Sequence, residues 1–397
     1  MNTGLNPLTP IEVVAGAQGV HMVHEQLVRA LGSAGAVAPI PAESKHFPAP
    51  MVEAIRAAVN PHLPVEPGTV AVLSTSGSTG NPRGVEFAAS QLGALNEFIN
   101  SGNVVGQQFN AAPRWIAALP VTSIGGFNVL IRSIAAGLPP IALGSVAGAG
   151  TFSAEEVTNA LRLCGDSPAM ISLVPTQLRR LLSTEEGTQA LARCAAVLVG
   201  GSATPLSDQI HARDQGIAAV FTYGMTETSG GCVFNGIPAP GVSIEIDAQT
   251  QVITISGEVI ATGYRPQPSS TQRDFFRGSF TTHDFGEIDS NRVLHVSGRT
   301  DDVVIINGVN ISLQAIKEII DAHPMVSDSY VLPDLTAVVQ PSSSDRKFED
   351  ELRVLISQRL GNIAVPRIMI VDSLPYLPNG KPDRQQIQEL AHPNLYG

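Results

Sequence analysis

Leu73-Ser-Thr-Ser-Gly-Ser-Thr-Gly-Asn-Pro-Arg-Gly84 follows directly on the apolar run Val70-Ala-Val-Leu73. The run reads as a buried strand. In the loop after it, Gly77, Gly80 and Gly84 allow positive φ and close approach of the backbone to a ligand. Ser74, Thr75, Ser76, Ser78 and Thr79 add hydroxyls, and the exposed N–H groups of such a turn can form an anion-binding nest. Arg83 contributes a planar cation suited to phosphate. The segment therefore reads as a loop that wraps a polyphosphate, against the alternative of a Ser/Gly linker, which is seldom entered straight from an apolar strand. It is not a Walker A loop, because no Gly-Lys-Ser/Thr stands at the required spacing.

Outward from this loop, strand and helix patterns alternate, the signature of a parallel α/β architecture. Strands are expected at Trp115–Leu119, Ile141–Leu143, Ile171–Val174, Ala196–Val199 and Ile217–Thr222, with an amphipathic segment at Ser90–Asn100 and a helix near Phe127–Ala136. Ser153-Ala-Glu-Glu156 has capping-box spacing, and Pro175 sits where a helix begins. From Gly241 to Val304 short runs alternate apolar and polar residues, which predicts a smaller β subdomain. Residues 302–397 read as a compact α+β unit. Residues 1–66 show two helical patterns, near His21–Leu31 and Met51–Val59, and no chemical role.

The chain of 397 residues, 43% hydrophobic and 15% charged, is long enough for two domains and a large core. A formal charge of −11 with no Lys/Arg cluster argues against nucleic acid as a partner. An anionic substrate must then be met by local cations. Cys164, Cys194 and Cys232 are too scattered for a disulfide framework or a zinc site and read as buried thiols of a reducing compartment. The N-terminus lacks a signal-peptide pattern. The most apolar long stretch, Ile134–Gly150, is broken by Pro139-Pro140 and makes a poor membrane span. A cytoplasmic protein is expected.

Open α/β sheets bind ligands at the carboxyl ends of their strands. That position holds four loops: Ser74–Gly84, Pro120–Gly126, Gly200–Pro205 and Tyr223–Thr228. Glu227 can hold Mg²⁺ beside phosphates or simply begin a helix as a dipole-favoured acid. Tyr223 can stack on a base or pack. Asp284 can accept two ribose hydroxyls or form a turn. Arg299 can bind phosphate or ribose, or pair with Asp301 or Asp302.

Thr75–Gly84, Tyr223–Thr228, Gly298–Asp302 and Pro375-Tyr-Leu-Pro-Asn-Gly-Lys381 together resemble, in order, the signature motifs of the adenylate-forming acyl- and aryl-CoA synthetases. The resemblance runs from about residue 70 to 390. Within the family, Thr222-Tyr-Gly-Met-Thr-Glu-Thr-Ser-Gly-Gly231, with Ser172-Leu-Val-Pro-Thr-Gln-Leu178 upstream, is similar to short actinobacterial o-succinylbenzoate–CoA ligases of menaquinone biosynthesis.

The resemblance implies a large N-terminal domain, 1–300, of mainly parallel sheets flanked by helices, and a small mobile α+β domain, 301–397. It implies ATP, Mg²⁺ and coenzyme A as co-substrates and cofactor, a small carboxylic acid as partner, and two half-reactions. The triphosphate falls on Thr75, Ser76, Gly77, Ser78, Thr79 and Gly80. Adenine falls near Gly200, Gly201, Ser202, Tyr223, Gly224 and Met225. Thr226, Glu227 and Arg83 join the catalytic set with Lys381, which neutralises charge between carboxylate and α-phosphate. Glu227 is the metal residue, Asp284 the ribose residue, and Arg299 contacts ribose or phosphate. Asp301 is the hinge, Asn307 and Gly308 lie near coenzyme A, and Ser123 and Gly125 border the acid. A homodimer is compatible with these residues. Two positions depart from the family pattern: Arg83 replaces a lysine, and Ser123 stands where many relatives place a histidine or aromatic gate. The second carboxylate of o-succinylbenzoate needs a cation or donors, for which Arg83, Arg114 and Arg132 are the candidates.

Overall fold

The apolar run before the Ser/Gly loop forms a strand, Thr69–Ser74, buried at every position but its last. In the computed structural model, which describes residues 5–32, 35–75, 82–265, 271, 273–306, 309–342, 348–377 and 380–393, it lies in the middle of a five-stranded sheet. The order is β1 (Leu8–Val13), β2 (Ala36–Pro41), β3 (Thr69–Ser74), β4 (Gly84–Ala88) and β14 (Gly263–Arg265). The first three strands are parallel, whereas β4 and β14 are antiparallel to their neighbours. The Ser/Gly loop therefore returns into an adjacent antiparallel strand, not into the helix that an alternating α/β pattern would supply.

Residues 1–66, unassigned from sequence alone, thus contribute two strands and the helices α1 (Ala17–Leu31) and α2 (Ala49–Val59) that cross between them. The strand β2 was hidden by Pro39 and Pro41. Proline fits here because β2 is registered with β3 only at Val37↔Ala71, so the prolines lie beyond that ladder.

A second sheet of seven strands has the order β11-β10-β9-β8-β7-β5-β6. Here β5 (Arg114–Ala117), β6 (Ile141–Ala142), β7 (Ala169–Leu173), β8 (Ala196–Val199) and β9 (Ala219–Met225) run parallel. β10 (Gly230–Phe234) and β11 (Ile237–Pro238) add an antiparallel edge. The amphipathic segment Ser90–Asn100 forms two short helices, α3 (Ala89–Gly93) and α4 (Asn96–Asn100). Leu95 separates them, leaving the helical conformation at φ −108°, ψ 6° with its side chain buried. Helices α5 (Ile124–Ala136), α6 (Ala154–Cys164), α7 (Pro175–Leu182), α8 (Glu185–Ala192) and α9 (Leu206–Asp214) complete this layer. Ser153 caps α6 as its spacing predicts, accepting from Glu156 N at 3.2 Å. The reciprocal half of the capping box is absent, because the Glu156 carboxylate accepts instead from Ser145 N and Oγ.

The alternating segment forms a third sheet from β12 (Ser243–Ile246), β13 (Val252–Ser256), β15 (Phe275–Phe276), β16 (Ser279–Ile288) and β17 (Leu294–Arg299). Toward the C-terminus come a hairpin, β18 (Val303–Ile306) and β19 (Val309–Ser312), and a sheet of β20 (Val326–Val331), β21 (Thr336–Pro341) and β22 (Arg367–Ile370). Along β21 the side chains alternate: Ala337 and Val339 join α10 (Leu313–Asp321) and α11 (Phe348–Leu360), while Val338 joins α12 (Arg384–Ala391). Helices thus cover both faces. By contacts the chain divides into two units, Met1–Ile244 with Thr254–Thr281 and Pro378–Gly380, and Glu245–Ile253 with Thr282–Leu377 and Lys381–Gly397. Residue 300 lies inside the second, because β16 and β17 pair there.

No helix among the described residues is long and apolar enough to cross a membrane. All three cysteines are buried, as their scatter suggested.

One buried cation ties the first unit together. The Arg265 guanidinium donates to the carbonyls of Val59, Asn60, Leu63 and Pro64, at the end of α2 and just beyond it, and to Glu86 Oε1 at 2.6 Å on β4. Its removal takes a donor from four carbonyls and a carboxylate, of which only the Asn60 carbonyl keeps a backbone partner among the described residues, Leu63 N. Arg265→Met should therefore lower stability by about 3–5 kcal/mol in urea unfolding, the usual cost of breaking a buried ion pair. A loss under about 1 kcal/mol would show that water replaces the guanidinium.

Candidate active site

The base of the Ser/Gly loop is pinched shut. Thr75 N donates to Arg83 O at 2.7 Å, and Arg83 N donates to Thr75 Oγ1 at 2.9 Å, just beyond the last ladder pair, Ser74↔Gly84. Ser76, Gly77, Ser78, Thr79 and Gly80 lie outside the described residues. The Arg83 guanidinium stacks over the Tyr264 ring, 4.3 Å from its centroid, and pairs with Asp274 at 3.5 Å.

At the carboxyl end of the seven-stranded sheet, Ser123 precedes α5 and donates its hydroxyl to Pro120 O at 2.8 Å. Gly125 lies in the first turn of α5. Gly200, Gly201 and Ser202 follow β8, with Ser202 exposed. Tyr223, Gly224 and Met225 finish β9 and fold back through a 3₁₀ turn, Thr226–Thr228, into β10. Thr228 Oγ1 locks the turn by accepting from Met225 N at 2.9 Å and donating to Gly230 O at 2.8 Å. Asn128 of α5 donates to Ser229 O at 2.7 Å. The strands pass so closely that a Cβ on Gly224 would lie 2.1 Å from Gly230 O.

Glu227 sits in that turn with 8% of its surface exposed. Three residues of 3₁₀ turn are too short to give it a helix-dipole role. Its backbone carbonyl accepts from Ala261 N, and Tyr264 donates its hydroxyl to Oε1 at 2.7 Å. Oε2 has no hydrogen-bond or ion-pair partner among the described residues. A buried carboxylate with one oxygen held and one open fits a divalent cation. Among the described residues no cluster of three or more His, Cys, Asp or Glu side chains is built for a metal. A cation here would take one protein carboxylate and draw its other ligands from phosphate and water, the usual Mg²⁺ arrangement. Tyr264 and Asp274 were not legible as site residues, since the pairing of β14 with β4 is what brings them here.

In the second unit, Asp284 and Arg299 stand opposite each other on β16 and β17, and Arg299 Nη1 donates to Asp284 Oδ1 at 2.9 Å. Asp284 is buried, and its backbone N–H donates to Thr282 Oγ1. Arg299 thus pairs with Asp284, a partner not considered in the sequence, and Asp302 pairs with Arg384 at 3.2 Å. Asp301 lies in the turn Thr300–Asp302. Asn307 and Gly308 lie outside the described residues. Lys381, half-buried, follows a turn closed by Leu377 N donating to Lys381 O and by the Tyr376↔Pro382 bridge, with Asp383 capping α12 next to it.

Of the three arginines considered for a second carboxylate, Arg114 begins β5, at the end opposite Pro120. Arg132 lies over Trp115 at that same end, 5.2 Å from the ring, and burial lowers its pKa to about 10.

A family model described as AMP-binding enzyme matches residues 12–263. A Mycobacterium tuberculosis protein named "Probable 2-succinylbenzoate--CoA ligase" is 35% identical over 325 residues, which are 79% of this chain and 82% of that protein. The ATP-bound MatB structure from Rhodopseudomonas palustris superposes with a TM-score of 0.79 at 19% identity, covering 100% of this chain and 90% of that one. The o-succinylbenzoate CoA synthetase (MenE) of Bacillus subtilis, solved with the acyl-adenylate OSB-AMP, gives a TM-score of 0.70 at 21% identity, over 97% and 89% of the two chains. At those identities the two structures establish the fold.

The loop after β8 offers a direct test of the packing. A Cβ on Gly200 would lie 2.2 Å from Thr222 Oγ1. Gly200→Ala should cost about 1–3 kcal/mol as an overpacking change. Adding Thr222→Ala should recover part of that loss, read as coupling in a double-mutant cycle. Strict additivity would contradict the contact.

Proposed function

The chain belongs to the AMP-binding enzyme family, and we propose that it is an ATP-dependent acid–thiol ligase that converts o-succinylbenzoate to its coenzyme A thioester. In the first half-reaction a carboxylate oxygen attacks the α-phosphorus of ATP and pyrophosphate departs, leaving an acyl-adenylate. In the second, the coenzyme A sulfur attacks the acyl carbon, AMP leaves, and the thiol proton passes to solvent. The observation that carries this reading is Glu227, a buried carboxylate with one open oxygen, in the turn that ends β9.

In this reading Thr75 to Gly80 wrap the phosphates. Gly200, Gly201, Ser202 and Tyr223 frame the adenine, Asp284 holds the ribose, and Arg299 orients Asp284. Glu227 holds Mg²⁺, which when bound supplies positive charge to the phosphates. Lys381 neutralises charge between the acid and the α-phosphate. One lysine cannot stay there while coenzyme A approaches the same acyl carbon, so the two steps need different walls. Residues 301–397 turning about Asp301 meet that need, with Asn307 and Gly308 toward coenzyme A.

A second reading, ligation of another aryl or acyl acid or loading of a carrier protein, draws on one observation. Arg114 and Arg132 lie at the wrong end of β5, and Arg83 is engaged by Asp274. A panel of acids in a pyrophosphate-release assay, with and without coenzyme A, separates the two. We expect benzoate and octanoate to fall at least about 10²-fold below o-succinylbenzoate in kcat/KM, because donors arranged for a second carboxylate are left unpaired without it. Comparable values would favour the second reading.

Lys381→Ala should lower acid-dependent pyrophosphate release by about 10²–10³, while preformed acyl-adenylate is still converted to thioester. Equal loss in both half-reactions would remove Lys381 from the adenylation step.

A further inference from the structure

Tyr264 and Asp274, which no motif singled out, connect the base of the 75–83 loop to Glu227. The ladder from β14 to β4 sets Tyr264 opposite Val85, two residues past Arg83. Thr271 Oγ1 accepts from Tyr264 N at 2.8 Å and fixes the backbone there. The ring is gripped by the Arg83 guanidinium at 4.3 Å and by Phe275 edge-on at 5.1 Å. Asp274 anchors Arg83 at 3.5 Å and is itself held by Arg273 at 2.6 Å. The phenol then has one polar contact to make, and makes it: its hydroxyl donates to Glu227 Oε1 at 2.7 Å.

The buried phenol has its O–H aimed at the Glu227 carboxylate. A cation over a phenol ring also draws electron density from it and strengthens the O–H as a donor. Ala261 N fixes the Glu227 backbone, and the Tyr264 hydroxyl holds the carboxylate through Oε1.

We propose that Tyr264 is the positioning residue of Glu227: it occupies Oε1, leaves Oε2 alone for a divalent cation, and is itself held by the Arg83–Asp274 pair. Arg83 then serves as the support of this phenol, and its pairing with Asp274 is part of that role. The inference rests on the reading of Glu227 as the metal carboxylate.

The test is ATP binding by isothermal titration calorimetry, with Mg²⁺ and with EDTA, on the full chain. The quantity read is the gain in ATP affinity that Mg²⁺ brings. Tyr264→Phe, which removes one oxygen, should reduce that gain about tenfold, while affinity in EDTA stays at the wild-type value. Glu227→Gln should abolish the gain. If Tyr264→Phe lowers melting temperature or affinity in EDTA yet leaves the gain unchanged, Tyr264 is structural only and the proposal fails. If the wild type shows no gain, or Glu227→Gln keeps it, the metal reading of Glu227 fails, and this inference with it.

Discussion

The constraint on which the first unit depends is the pinch between Thr75 and Arg83 at the mouth of a hairpin loop. A Ser/Gly segment gains little from burial and loses much conformational entropy on ordering. Two reciprocal hydrogen bonds close its ends, so the loop begins and finishes at fixed points whatever its middle does. The same closure sets Arg83 over Tyr264, and β14 brings Tyr264 to Glu227. The ends of the 75–83 loop and the Glu227 turn, far apart in sequence, are thereby referred to one small frame of strands.

Which parts of this were legible beforehand follows from the range of the forces involved. The buried parallel strand Ala196–Val199 is a continuous apolar run and Ala169–Leu173 is interrupted only by Ser172, and such runs announce themselves locally. Pro175 and Ser153 mark helix starts because capping is settled within one turn. The antiparallel return of β4 was not legible, since direction is fixed by pairing and not by pattern. The same holds for Arg265, an arginine that looks like surface and serves as a buried clasp because four carbonyls from residues 59–64 meet there. Glu227 could be picked out as the lone acid of its segment, whereas the hydroxyl that fixes it lies 37 residues away.

Net charge and site charge are handled separately. The chain is acidic, formally −11, yet substrates of the proposed reaction are anions. Three of its arginines are each steadied by an acid: Arg83 by Asp274, Arg299 by Asp284 and Arg384 by Asp302. Such pairing lowers the attraction any one of them offers to a distant anion, and fixes where each planar head points. Orientation is gained at the expense of raw field strength.

Cys232, in the strand just after the Glu227 turn, is fully buried, and that burial pushes its thiol up to about 12. At neutral pH roughly one molecule in 10⁵ would then carry the thiolate, the only nucleophilic form. An enzyme that makes an activated acyl group for an incoming thiol runs the standing risk of acylating itself. Cys194 is silenced in the same way, at about 12, and burial raises Cys164 too. Burial thus keeps the protein's own three cysteine sulfurs protonated at neutral pH, in the form that does not act as a nucleophile.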